Sequence, residues 1–153
     1  MTITLTPENP RDPAVAAMIA ELVTYITDLY PEDEDDPPAP WTVDNLAAFL
    51  VARVDGAPAA CGGLAPMSDQ SALEIVRMYV RPAHRGAGLA DQILAALETA
   101  ARTKGAQTLL LRCGPRQPAA LRVYERNGYR RRAAFAHHRE HETNIFLEKE
   151  LCS

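Results

Sequence analysis

The stretch Arg77-Met78-Tyr79-Val80-Arg81-Pro82-Ala83-His84-Arg85-Gly86-Ala87-Gly88-Leu89-Ala90 constrains this chain more than any other. A largely apolar run stops at Pro82, a basic glycine-rich turn follows, and a segment rich in alanine and leucine then begins. That order predicts a strand, a tight turn and the N-terminus of a helix. The first turn of a helix leaves backbone N–H groups without partners and carries partial positive charge. Gly86 and Gly88 have no Cβ, so an anion can approach the backbone, and Arg85 adds a full charge with a fork of donors. The combination is a seat for phosphate or pyrophosphate.

Spacing narrows the choice of seat. No pair of glycines is followed by the Gly-Lys-Ser/Thr of a nucleotide-binding P-loop. A dinucleotide fingerprint needs a third glycine where this chain has Asp91. Arg85, Gly88 and Ala90 instead spell Arg-x-x-Gly-x-Ala. That signature, with Tyr79-Val80-Arg81-Pro82 before it, resembles the acyl-CoA-binding segment of the GNAT acetyltransferase superfamily. A second segment, Leu121-Arg122-Val123-Tyr124-Glu125-Arg126-Asn127-Gly128-Tyr129, resembles the same family's Leu-Tyr-Glu-x-x-Gly-Phe/Tyr run.

The rest of the chain agrees with such a domain. Its 153 residues suffice for one domain with its own core, so 1–153 is read as a single unit. A composition of 47% hydrophobic and 24% charged residues is that of a globular protein. A formal net charge of −4 argues against gripping nucleic acid, and no apolar stretch is long enough for a membrane span. Cys61, Cys113 and Cys152, scattered and odd in number, suggest a reducing, cytoplasmic setting and no disulfide framework.

In chain order, alternation predicts a strand over 2–6, and Asp12-Pro13 starts a helix running to about Leu29. Glu32 to Asp36 is an unbroken acidic run followed by Pro37, Pro38 and Pro40, and reads as a loop. Thr42 and Asp44 offer a cap for a short helix through Leu50. Residues 51–54 and 58–64 flank Asp55-Gly56 as a hairpin, and 72–81 form the strand that enters the anion seat. A helix ending at Gly105, a buried strand over 108–113, a helix from Pro118 to Asn127-Gly128 and strands over 129–135 and 143–151 complete the order. This is the GNAT order, with the likeness strongest over 72–129. It implies an α/β (α+β) fold: a mixed, mostly antiparallel sheet, splayed at the cofactor site and flanked by helices.

The resemblance also implies chemistry. Acetyl-CoA would be the co-substrate, held by Met78, Tyr79, Val80, Arg85, Gly86, Ala87, Gly88, Leu89, Ala90, Gln117 and Tyr124. Gln117, Leu121 and Tyr124 share a helix face, so an amide and a phenol point at one ligand. An alkylamine has a pKa near ~10, so only about one in a thousand is nucleophilic at neutral pH, and a base helps supply the neutral form. Glu74 is the candidate base and Tyr124 the candidate acid for the departing thiol. The residues leave two readings of Glu74 open, the base or a strand-end carboxylate in solvent. Alternation puts Glu74 on one strand face with Val76, Met78 and Val80. Backbone N–H groups at Met78 and Val80 match those that polarise the thioester carbonyl in the family.

Arg81 and Arg116 are further phosphate candidates, and Tyr30 and Trp41 flank the acidic run where the family's acceptor pocket lies. His137, His138 and His141 show no zinc spacing and read as loop residues, so no metal is expected. Cys113 reads as a half-buried strand-end thiol. The acceptor implied is a primary amine of a small molecule or peptide, the acidic run leaning toward a cationic one, and a homodimer through the last strands is compatible with the family. A non-catalytic acyl-CoA-binding sensor, or a seat for another phosphate ligand, are the rival readings.

Overall fold

The computed structural model describes residues 1–31 and 38–151. Three helices and seven strands follow in the order β1 (Ile3–Pro7), α1 (Pro13–Leu29), β2 (Ala48–Val54), β3 (Ala57–Pro66), β4 (Ala72–Val80), α2 (Leu89–Thr103), β5 (Thr108–Cys113), α3 (Pro118–Arg126), β6 (Arg130–Arg132) and β7 (Ile145–Glu150). The strands form one sheet in the order β1-β2-β3-β4-β5-β7-β6. Every pairing is antiparallel except β4 with β5.

Alternation along the strands sorts the core between two faces. Leu50, Ala52 and Val54 of β2 pack with Leu94 and Leu97 of α2 and with Leu121 and Tyr124 of α3. Phe49 and Val51 face the other way, onto Val15, Met18 and Leu22 of α1. The apolar run of β5 is covered on both sides as expected: Leu109 and Leu111 meet the α2 cluster, while Leu110 meets Phe135 and Phe146. The acidic run Glu32 to Asp36 lies outside the described residues.

The expected helix through Leu50 does not form. Val43–Asn45 makes one 3-10 turn, in which the Thr42 N–H donates to Asn45 Oδ1 at 2.7 Å, and β2 begins at Ala48. Both edges of β2 are taken by β1 and β3, and that pairing outweighs a local capping signal. The last two strands are shorter than the sequence suggests, at Arg130–Arg132 and Ile145–Glu150.

Two irregularities in β4 shape everything around it. First, β4 pairs with β5 only at Ala72, Leu73 and Glu74, and beyond that point the two strands diverge. A wedge opens between β4 and the end of β5, leaving the β5 side of residues 75–80 without a strand partner. Second, Val76 pairs with Gly63 and Tyr79 with Cys61, so Arg77 and Met78 together oppose Gly62. This is a β-bulge, and Arg77 takes a left-handed φ of 57° within it. The bulge reverses the alternation. Leu73 and Ile75 face the α2 cluster before it, and Met78 and Val80 do so after it. The expectation that Glu74 shares a face with Met78 and Val80 is therefore corrected: parity breaks at Arg77. Gly62 makes the crossing feasible, because a Cβ there would lie 2.6 Å from Met78 Sδ and 2.8 Å from Ile93.

Candidate active site

Two cavities meet in the wedge. One, of about 520 Å³, runs from Met78, Tyr79 and Val80 past Arg85 and Gly86 to the start of α2 and along α3. The other, of about 480 Å³, is bounded by α1, Trp41, the β4 bulge and the segment before β7. Met78, Gln117 and Tyr124 line both.

The first cavity gathers most of the residues expected to form an anion seat. Gly86 and Gly88 have φ of 85° and 80°, which L side chains rarely adopt. Nothing lies within 4 Å of a Cβ built on either, so backbone conformation demands these glycines. α2 starts at Leu89, and the unpaired N–H groups of its first turn open toward the turn. Leu89 and Ala90 line this cavity, whereas Ala87 lies in the turn and off the wall. Arg85 Nε donates to the Val80 carbonyl at 3.0 Å, and the guanidinium stacks 5.5 Å from the Tyr25 ring centroid. Asp91 is drawn toward α3, accepting from Arg126 and, at 2.8 Å, from Asn127 Nδ2. Those partners hold its carboxyl below the usual range. Arg81 does not join the seat: it pairs with Glu21 at 2.7 Å and donates to Pro58 O.

Tyr124 sits where the cavities join. It is 7% exposed, and its hydroxyl makes no hydrogen bond among the described residues. Burial, followed by the nearby Cys113 thiol, raises its pKa, so the phenol keeps its proton. Gln117 stands one position before α3 and accepts at Oε1 from the Tyr30 hydroxyl at 3.3 Å. Tyr30 Oη in turn accepts from the Arg116 N–H at 2.9 Å. Arg116 itself reaches back to the Leu29 carbonyl at 2.9 Å. Gly114 lets Tyr30 in, because a Cβ there would fall 1.9 Å from Tyr30 Oη.

Glu74 is placed at the mouth of the wedge, the last residue of β4 paired with β5. It is 5% exposed, which removes the solvent reading. Its Oε2 lies 2.8 Å from His138 Nε2, and Phe135 and Phe146 wall the imidazole. His137 stacks on His138 at 4.0 Å between centroids. Ligand atoms of Glu74, His137 and His138 all lie within 4.8 Å of one another, a donor set that a divalent cation accepts. The histidines are loop residues, as expected, but their meeting with Glu74 was missed. The His137-His138 doublet is the only local signal; a carboxylate 64 residues earlier supplies the partner.

A splayed parallel pair, a helix N-terminus behind a glycine turn and a buried phenol between two cavities define an acyl-transferase type of site. The comparisons agree. The model of the acetyltransferase (GNAT) family matches residues 15–129, and the chain belongs to that family. It is 32% identical over 153 residues to an IAA acetyltransferase of Azospirillum brasilense, covering 97% of this chain and 98% of that one. A crystal structure of a provisionally assigned acyl-CoA N-acyltransferase from Klebsiella pneumoniae superposes with a TM-score of 0.82 at 34% identity, covering 99% of both chains. A provisionally assigned acetyltransferase from Salmonella typhimurium, solved with acetyl-CoA, shares the fold at 17% identity, with a TM-score of 0.68 over 100% of this chain and 96% of that one. Among the described residues no helix is long and apolar enough to cross a membrane.

Proposed function

We propose that this chain moves the acetyl group of acetyl-CoA directly to a primary amine, with both substrates bound together. One observation carries the reading: Met78, Gln117 and Tyr124 belong to the walls of both cavities, so two ligands entering from opposite sides meet beside one phenol. The acetyl-CoA bound in the Salmonella relative and the relatives' names support the donor.

The residues divide the work. The first-turn N–H groups of α2, the turn at Gly86 and Gly88, and the remaining donors of Arg85 fit a pyrophosphate. The open edge of β4 at Met78 and Val80 fits the pantetheine arm and the thioester carbonyl, where backbone N–H groups meet developing negative charge. Acetyl-CoA supplies an acetyl group activated as a thioester. Glu74, bonded to His138, accepts the proton of the incoming ammonium group. The amine nitrogen bonds to the acetyl carbon, the carbon–sulfur bond breaks, and Tyr124 gives its proton to the departing sulfur; the nitrogen then gives up its extra proton to the Tyr124 phenolate, leaving a neutral amide, the CoA thiol and one proton on Glu74.

The test is thiol release over a panel of amines with wild type and Tyr124→Phe. The phenylalanine keeps the ring's packing and removes the proton. Turnover is expected to fall by about 100-fold, the low end of general acid catalysis, while CoA affinity by calorimetry moves less than threefold. Equal turnover in the two proteins removes Tyr124 from the mechanism.

A further inference from the structure

The acceptor cavity carries an arginine that the proposed transfer does not use. Arg77 occupies the β4 bulge in a left-handed conformation and lines the cavity wall. Its guanidinium carbon lies 5.4 Å from the centroid of Trp41, on the same wall. Its Nε is buried without a hydrogen-bond partner, and no carboxylate pairs with it, among the described residues. Stacking on an aromatic face leaves the in-plane N–H groups of a guanidinium for another ligand.

The other charges of this wall sharpen the point. Arg112 is a second cation, donating to Asn144 Oδ1 at 3.2 Å. Glu74 is the only acidic residue lining the cavity among the described residues, and His138 engages it. Among the described residues this wall carries more positive than negative side chains, and Arg77, half-buried without a counter-charge among them, is costly until an anion arrives.

From this geometry we infer that Arg77, stacked on Trp41, receives a carboxylate of the acceptor, so that the acceptor is a primary amine carrying a carboxylate, as an amino acid does. The inference rests on the amine-transfer reading above and deepens it. It differs from the lean toward a cationic acceptor drawn from the acidic run, which lies outside the described residues. The amine faces Glu74 and the thioester, while the carboxylate lies against the fork of Arg77, which matches carboxylate geometry with two parallel N–H···O bonds.

The experiment compares kcat/KM for matched trios, each an α-amino acid, its carboxamide and its decarboxylated amine, in wild type, Arg77→Gln and Arg77→Lys. In wild type the carboxylate member is expected to exceed the other two by roughly 10- to 100-fold, the range of one charge-assisted hydrogen-bonded contact. Arg77→Gln removes that preference and leaves the neutral members and CoA affinity unchanged; Arg77→Lys keeps part of it. Transfer to amines with no carboxylate preference in wild type overturns the inference and leaves the amine-transfer reading standing. A preference that survives Arg77→Gln also overturns it. No transfer to any amine overturns both. The wild-type comparison alone decides the matter if Arg77→Gln fails to fold.

Discussion

Gly114→Ala is a one-methyl change that tests how the wall of the second cavity is built. The added Cβ would stand 1.9 Å from Tyr30 Oη, 2.3 Å from Cζ and 2.9 Å from Cε1. The first of these is about 1.5 Å short of ordinary contact, and the hydroxyl oxygen and two ring carbons are struck at once. The ring cannot swing away freely, because it is 5% exposed and bonded on both sides of its oxygen. Forced withdrawal breaks the bonds to the Arg116 N–H and Gln117 Oε1, at about 1 kcal/mol each. Overpacking adds about 1–3 kcal/mol. The expected loss is about 3–5 kcal/mol, or about 10 °C in Tm for a chain of this size. Thermal melts followed by circular dichroism, with urea titrations, give the number. In a Tyr30→Ala background the same substitution is expected to cost less than about 1 kcal/mol, since neighbours in contact are not additive. A single variant melting within about 2 °C of its parent, or an equal penalty in both backgrounds, refutes the reasoning.

Three further outcomes follow from the geometry. Gly88→Ala puts a side chain at a φ of 80°, at a cost of about 1–2 kcal/mol, and calorimetry should show CoA binding weakened several-fold; unchanged affinity would mean that the turn does not hold the pyrophosphate. Burial pushes the Cys61 thiol up to about 12 and the Cys113 thiol up to about 11. At pH 8 about one Cys113 in a thousand is thiolate, so in a Cys152→Ser variant maleimide labelling should be slow when native and fast in urea; fast native labelling would refute the burial of these thiols. Prolonged dialysis against a chelator should leave turnover unaltered if, as proposed, Glu74 and His138 act as a proton-accepting pair. A loss restored by added zinc would instead make Glu74, His137 and His138 a metal centre.

The strand–turn–helix geometry of the expected anion seat was legible because its causes are local. A left-handed turn needs glycine at Gly86 and Gly88, and a helix start exposes N–H groups wherever it occurs. Gln117 and Tyr124 were legible because helical spacing alone puts them on one side, and both do line the shared walls. The short helix expected through Leu50 failed because strand pairing with β1 and β3 is information those residues do not carry.

Residue types, periodicity and chirality along the chain determined the strand, the glycine turn and the helix start, and that a phenol would face them. The tertiary structure alone decided the second cavity. The bulge at Arg77 exists because β4 is held by β3 across Gly62, and it turns Met78 and Val80 away from the face that Glu74 occupies. His138 reaches Glu74 only because β7 docks on β5, bringing the preceding loop under the wedge. Such contacts join residues far apart in sequence, and only burial of the shared core brings them within a hydrogen bond of each other.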